Sequence, residues 1–405
     1  MPRTIPARNA ALIARLNPVL LGLSVAVAWF VLWGSHLAGG FVIDGQGFIL
    51  GRDFLNFWHY GLAAWGDDPV RHYDLSFYNA VLDRLIAGYD YPDQNWSYPP
   101  HYMLLAAPFG LVGYNVALAI YTVLGLALYW RVVVRDLEDG EQRIALFAMP
   151  TVAVFLLCGQ VSALLAVAFV AVYKLADRRP VAAGLIIALL TVKPQIGLLI
   201  PLFLIMTCRW RVFAAAAIGT LAFVGLSIAI HGVDIWRHYF TESIAVQSTT
   251  LTQSNFIVMG LMPTIFVDMI MIGAGKQVAG AAQALVALGA IWMMWRVARS
   301  SSDRFLQFSA LLAASFVFTP YLMSYDTLVL GWVMLGLLAR AEVNFRQGLV
   351  FCLVMAICPI GVMLAGFGLP GAPLALIGLC VWVWQAARAE AGSTHAIALN
   401  RATAP

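Results

Sequence analysis

The sequence predicts an all-α, polytopic membrane protein, and three observations carry that prediction. The first is composition: of 405 residues, 62% are hydrophobic and only 11% charged, with a mean hydropathy of +0.84. A soluble domain carries roughly 25% charge, so this chain lacks the polar residues to cover a water-facing surface. Disorder, a coiled coil and a basic nucleic-acid binder are excluded on the same ground. The second is recurrence: apolar stretches fall at 18–38, 114–134, 144–157, 161–175, 181–192, 194–207, 212–231, 278–298, 305–320, 326–340, 346–366 and 371–387. The third is charge placement. Twelve crossings put both termini on one side, and 18 of the 24 Lys and Arg fall there, which makes that side cytoplasmic.

Each element follows from local chemistry. Arg3, Arg8 and Arg15 precede an apolar run too long for a signal-peptide core, so the run reads as an uncleaved first span. A long extracytoplasmic loop, 39–98, comes next, with eight aspartates against three arginines and many aromatics. Segment 101–113 (HYMLLAAPFGLVG) is short and broken by Pro108 and Gly110, and reads as re-entrant or interfacial. Two hairpins, 144–175 and 181–207, have arms of 12–15 residues, shorter than the roughly 30 Å hydrocarbon core demands. Their apices are polar: Gly159-Gln160 in LLCGQVSALL and Lys193-Pro194-Gln195 in LLTVKPQIGLL. Backbone broken at such depth must be buried in protein or line a wet cavity. All of 1–387 forms one membrane domain, and 388–405 is a short cytoplasmic tail, too small and polar to order. The five cysteines lie in apolar runs and encode no disulfide framework.

The densest chemistry is Gly51-Arg52-Asp53-Phe54-Leu55-Asn56-Phe57-Trp58-His59-Tyr60. A carboxylate among aromatic rings suits a sugar site, because rings pack on the apolar faces of pyranoses while carboxylates bind hydroxyls. Asp53 is either a general base on an acceptor hydroxyl or the partner of a neighbouring Arg, or a helix cap. Asp67-Asp68-Pro69 has turn and cap chemistry. Asp90 and Asp93 offer hard oxygens to a divalent ion or are simply solvated. No other cofactor signal is visible. Tyr98-Pro99-Pro100 forces an extended entry to the following segment and aims Tyr98 and His101 at the cavity. Lys193 at membrane depth costs about 2.5–3.5 kcal/mol near the centre, which makes it a functional suspect by default. Gln160 and Gln195 either bind oxygens of a substrate or satisfy broken helix ends. The Ser/Thr/Gln-rich run before Gln253, after Trp236-Arg237-His238-Tyr239, is an acceptor rim or a solvated connector.

The ordered set of motifs resembles glycosyltransferase family 87. These are the aspartate-aromatic motif after the first span, Asp68-Pro69 through Tyr73-Asp74, Tyr98-Pro99-Pro100, the Gly-Gln and Lys-Pro-Gln apices, and the Arg209-Trp210-Arg211 turn. Thr319-Pro320 and Tyr325-Asp326 extend it. The resemblance implies a GT-C-like fold in a bacterial cytoplasmic membrane. It implies transfer of a sugar, mannose or another hexose, from a polyprenyl-phosphate donor to a lipid or glycan acceptor on the outer side. Asp53 stands where the family has its essential loop aspartate. A cation must then stabilise the donor phosphate as the glycosyl bond breaks. Lys193 leads, with Arg52, Arg237, His238 and His101 behind it, unless Lys193 merely neutralises Asp326 or Asp53. Family members often carry histidine where this chain has Ser324-Tyr325-Asp326, so any help from Tyr325 and Asp326 is of a different kind. The rival reading is a transporter or glycolipid flippase, favoured by the weak echo between the two hairpins.

Overall fold

The computed structural model describes residues 4–85, 91–94 and 96–402, with side chains through Gly392. Among these residues the regular structure is helical except for one antiparallel hairpin, His36–Ala38 against Phe41–Ile43. Five helices are long and apolar enough to cross a membrane: Ala7–Leu32, Tyr114–Val134, Trp210–His231, Lys276–Ser300 and Pro373–Gly392. Two bent pairs raise the number to seven when each pair counts as one span. Six shorter apolar helices, of 10–17 residues, account for the remaining expected segments.

Long and short helices divide the work. All eleven residues of Leu328–Leu338 are buried, as are twelve of the fifteen in Arg304–Phe318, so these two short helices lie in the interior. The long ones turn apolar side chains outward, with Leu221 72% and Leu285 71% exposed. An outer surface that is apolar is stable only against lipid. This is a multi-pass membrane protein.

Breaks in the helices have local causes. The first span stops at Leu32 rather than 38, because Gly34 at φ 83° closes a turn in which the Ser35 amide donates to the Leu32 carbonyl (3.0 Å), and the Gly39-Gly40 pair, both at positive φ (56° and 84°), then makes a two-residue turn. Such a turn matches strand twist and pulls the preceding residues into the hairpin. Gly140–Phe147 and Pro150–Cys158 meet at 48°. Met149 is held extended by the proline that follows it, which opens the second helix at its first position. Phe345–Met355 and Ile357–Gly366 meet at 85°. The final helix runs Pro373–Ala402, continuing through most of the segment expected to be a tail.

Candidate active site

Asp53 sits in the first turn of the loop helix Arg52–Ala63, and the fold anchors that turn from several sides. The Gly51 amide donates to the Leu157 carbonyl (2.8 Å), at the end of the first hairpin's rising arm. The Tyr114 hydroxyl donates to the carbonyls of Leu50 (2.6 Å) and Gly51 (3.0 Å). Phe54 packs on Tyr121 at a ring distance of 4.8 Å, and Tyr121 in turn donates to the Gln160 carbonyl at 3.0 Å. Gly159 closes the contact. Its φ is +70°, and a Cβ there would lie 2.4 Å from that of Phe54. Only glycine allows both the left-handed turn and the approach.

Two cavities meet at Asp53. A polar chamber of about 300 Å³ is walled by Asp53, Asn56, Tyr98, Gln160, Lys193 and Gln195, with Trp96, Tyr321 and Tyr325 as its rings. An apolar groove of about 680 Å³ runs between the first long helix (Val27, Phe30, Val31) and the bent helix Ile357–Gly366 (Cys358, Val362). Asp53, Val258, Met323 and Tyr325 line both. The Asp53 carboxylate is half-buried, and enclosure by protein raises its pKa above the ordinary 3.8. Arg52, a hydrogen bond with the Gln160 side chain, and Lys193 pull it back. The Gln160 Oε1 has no partner among the described residues.

Lys193 caps the short helix Pro194–Gly197 at the second apex and is buried. Its Nζ donates to Asp326 Oδ1 at 2.6 Å, with the two side chains 7% and 1% exposed. The rings of Tyr98 and Tyr325 flank the ammonium at 5.7 and 5.2 Å. Arg52 points into the groove instead, donating to Cys158 Sγ at 3.6 Å and lying 4.8 Å from the Phe48 ring.

Several expected residues are engaged elsewhere. Trp58 donates to the Val112 carbonyl (2.9 Å), fixing the loop helix to the segment before Tyr114. His59 pairs with His72 at 2.8 Å, and burial drives its pKa down to about 3, with His72 adding to the effect, so its ring is neutral. His101 stacks on Trp236 and contacts the Thr191 hydroxyl at 3.1 Å. Arg237 pairs with Asp234 at 2.7 Å on the surface, and His238 bonds the Asp234 carbonyl. None of these five lines either cavity. Many of the loop's aromatics form its own core, Tyr60 stacking on Trp96 at 3.8 Å. Asp68 and Asp74 cap local turns. Asp93 lines the groove, while Asp90 lies outside the described residues.

The chamber also contains residues absent from the sequence-based set. Asn56 follows Asp53 by three positions and so shares its helix face, a signal present in the sequence. Tyr321 and Ser97 carried no comparable signal. The Ser/Thr/Gln-rich run forms the helix Ile244–Gln253, and Thr250 and Ser254 reach the chamber wall. Gln247 docks it by donating to the Ser97 carbonyl at 3.2 Å.

In comparison with known proteins, the family model for glycosyltransferase family 87 matches residues 96–324. That stretch holds Tyr98, Gln160, Lys193, Gln195 and Tyr321, and begins after the helix carrying Arg52 and Asp53. No curated protein and no solved structure matches the chain.

Proposed function

The chain belongs to glycosyltransferase family 87 and is a membrane glycosyltransferase, and we propose that it moves mannose or another hexose from a polyprenyl-phosphate donor to a lipid or glycan acceptor. In this reading twelve segments cross a bacterial cytoplasmic membrane, both termini are cytoplasmic, and the chamber faces outward. The observation that carries it is the position of Asp53, where a hydroxyl-lined chamber meets an apolar groove. The groove suits an isoprenoid tail, which gains about 0.8 kcal/mol for each CH₂ removed from water. The chamber, with its amides, hydroxyls and rings, suits sugars.

Transfer then proceeds in one displacement. The acceptor hydroxyl oxygen attacks the anomeric carbon while its proton passes to the Asp53 carboxylate. The bond from that carbon to the phosphate oxygen breaks, and its electron pair leaves with the lipid phosphate. Attack from the chamber, opposite the phosphate, inverts the anomeric configuration. A pKa raised above that of an ordinary aspartate makes Asp53 a stronger base in its ionised form.

Reconstitution in proteoliposomes with labelled polyprenyl-phosphate mannose and a membrane glycolipid extract tests the reading. A glycosylated product is expected. Passage of label across the bilayer with no product would replace the enzyme with a transporter.

A further inference from the structure

We propose that Arg52, and not the buried Lys193, receives the phosphate of the lipid donor. The inference rests on the donor class proposed above and deepens it to a residue.

The argument begins with access. A donor that enters tail-first along the groove meets the charges on the groove's wall, and among its described lining residues Arg52 is the single cation. No carboxylate among the described residues lies within ion-pair distance of Arg52, although Asp53 and Asp44 attract it from farther off. Its direct contacts there are weak ones, a thiol sulfur at 3.6 Å and the Phe48 ring. Phosphate oxygens displace both readily, because a guanidinium presents parallel N–H donors that match a phosphate edge. Asp53 and Asp93 line the same groove, so its wall is not generally positive and an anion there depends on Arg52.

Lys193 is placed differently. It lines the chamber and not the groove, and its ammonium is already committed to Asp326 at 2.6 Å. To bind phosphate it would have to leave a carboxylate that is almost wholly enclosed, and a buried charge stripped of its partner is strongly unfavourable. Its role in this account is to hold Asp326 and the chamber rings in position beside the acceptor.

Helix geometry completes the assignment. Consecutive helical residues point about 100° apart, which sends Arg52 into the groove while Asp53 reaches the junction. Phosphate departs on the Arg52 side as the hydroxyl attacks from the chamber side. The leaving group changes from a phosphodiester to a phosphomonoester with one more negative charge, so the guanidinium binds it more strongly as the bond breaks.

Binding of farnesyl phosphate and of farnesol to detergent-purified full-length protein tests this directly. Wild type should prefer the phosphate, and Arg52→Gln should shrink that preference about 10- to 100-fold, the scale of a lost charge-assisted hydrogen bond, with farnesol binding kept. Lys193→Met combined with Asp326→Asn, which removes the cation without stranding its partner, should leave the preference in place, and Arg52→Lys should restore part of it. An unchanged preference in Arg52→Gln, or its collapse in the Lys193→Met, Asp326→Asn double variant instead, overturns the proposal. If Arg52→Gln fails to hold farnesol, Arg52→Lys decides: it must keep a reduced phosphate preference, and a full one counts against the proposal. A wild-type protein that does not distinguish phosphate from alcohol would sink the lipid-phosphate donor itself, a failure separable from the others.

Discussion

The Asp53 carboxyl carries the chemistry of the account, and its environment makes two opposite demands on it. Enclosure raises its pKa, while Arg52, Gln160 and Lys193 act against that rise. A base must be ionised to act, so turnover is lost as pH falls through the raised pKa, and the acid limb of the rate profile should lie above pH 3.8. Stability has the other sign. Between 3.8 and the raised value the folded state binds more protons than the unfolded one, so stability falls as pH rises through that window and stays lower above it. Asp53→Asn, neutral and of equal shape, should therefore melt no lower than wild type at neutral pH, with the difference vanishing below 3.8; thermal melts at several pH values check it. The Lys193–Asp326 pair should behave conversely. Lys193→Met or Asp326→Asn alone should each cost about 3–5 kcal/mol, and the double variant much less than their sum. Additive losses would mean the pair is not coupled. Gln160, Lys193 and Gln195 were legible in the sequence because a polar group inside an apolar stretch needs a reason, and Asp53 because it sits in the dense aspartate-aromatic motif of the long loop. Arg237, His238 and His59 were not, because their partners Asp234 and His72 satisfy them locally.

At the scale of elements, the site depends on one close packing, the first hairpin's apex against the loop helix. Gly159→Ala adds a Cβ 2.4 Å from that of Phe54 and places alanine at φ +70°. Left-handed strain costs about 1–2 kcal/mol and overpacking about 1–3. Because Phe54 adjoins Asp53, turnover should fall along with melting temperature. A variant that melts lower but turns over normally would detach the apex from catalysis. The apices were readable as Gly-Gln and Lys-Pro-Gln interruptions of apolar runs. The end of the first span was not, since Leu37 and Ala38 are as apolar as a span requires and it is the left-handed turns at Gly34 and at Gly39-Gly40 that send them into a strand. The helix Ile244–Gln253 reached the chamber through a long-range bond from Gln247 to Ser97, which no local pattern encodes.

The whole molecule sets long helices with outward-turned apolar side chains around the buried helices Arg304–Phe318 and Leu328–Leu338, with polar groups converging where the loop helix, both apices and the helix Ile244–Gln253 come together. Composition foretold the membrane class. The number of crossings was less legible, because an apolar helix of eleven residues reads alike whether it spans or fills the interior. A native probe tests the orientation: Cys208, beside the Arg209-Trp210-Arg211 turn, is exposed, whereas Cys158, Cys358 and Cys380 are buried. A membrane-impermeant maleimide should label it in inverted vesicles and spare it in right-side-out ones; the reverse pattern would turn the proposed topology over. The most direct test of the central claim is a single-turnover assay with labelled polyprenyl-phosphate mannose pre-bound to wild type and to Asp53→Asn, followed by acceptor. Wild type should form a glycoside of inverted configuration, and the variant should hold intact donor with transfer slowed by about 10²- to 10⁴-fold. Transfer by Asp53→Asn at close to the wild-type rate would contradict the account.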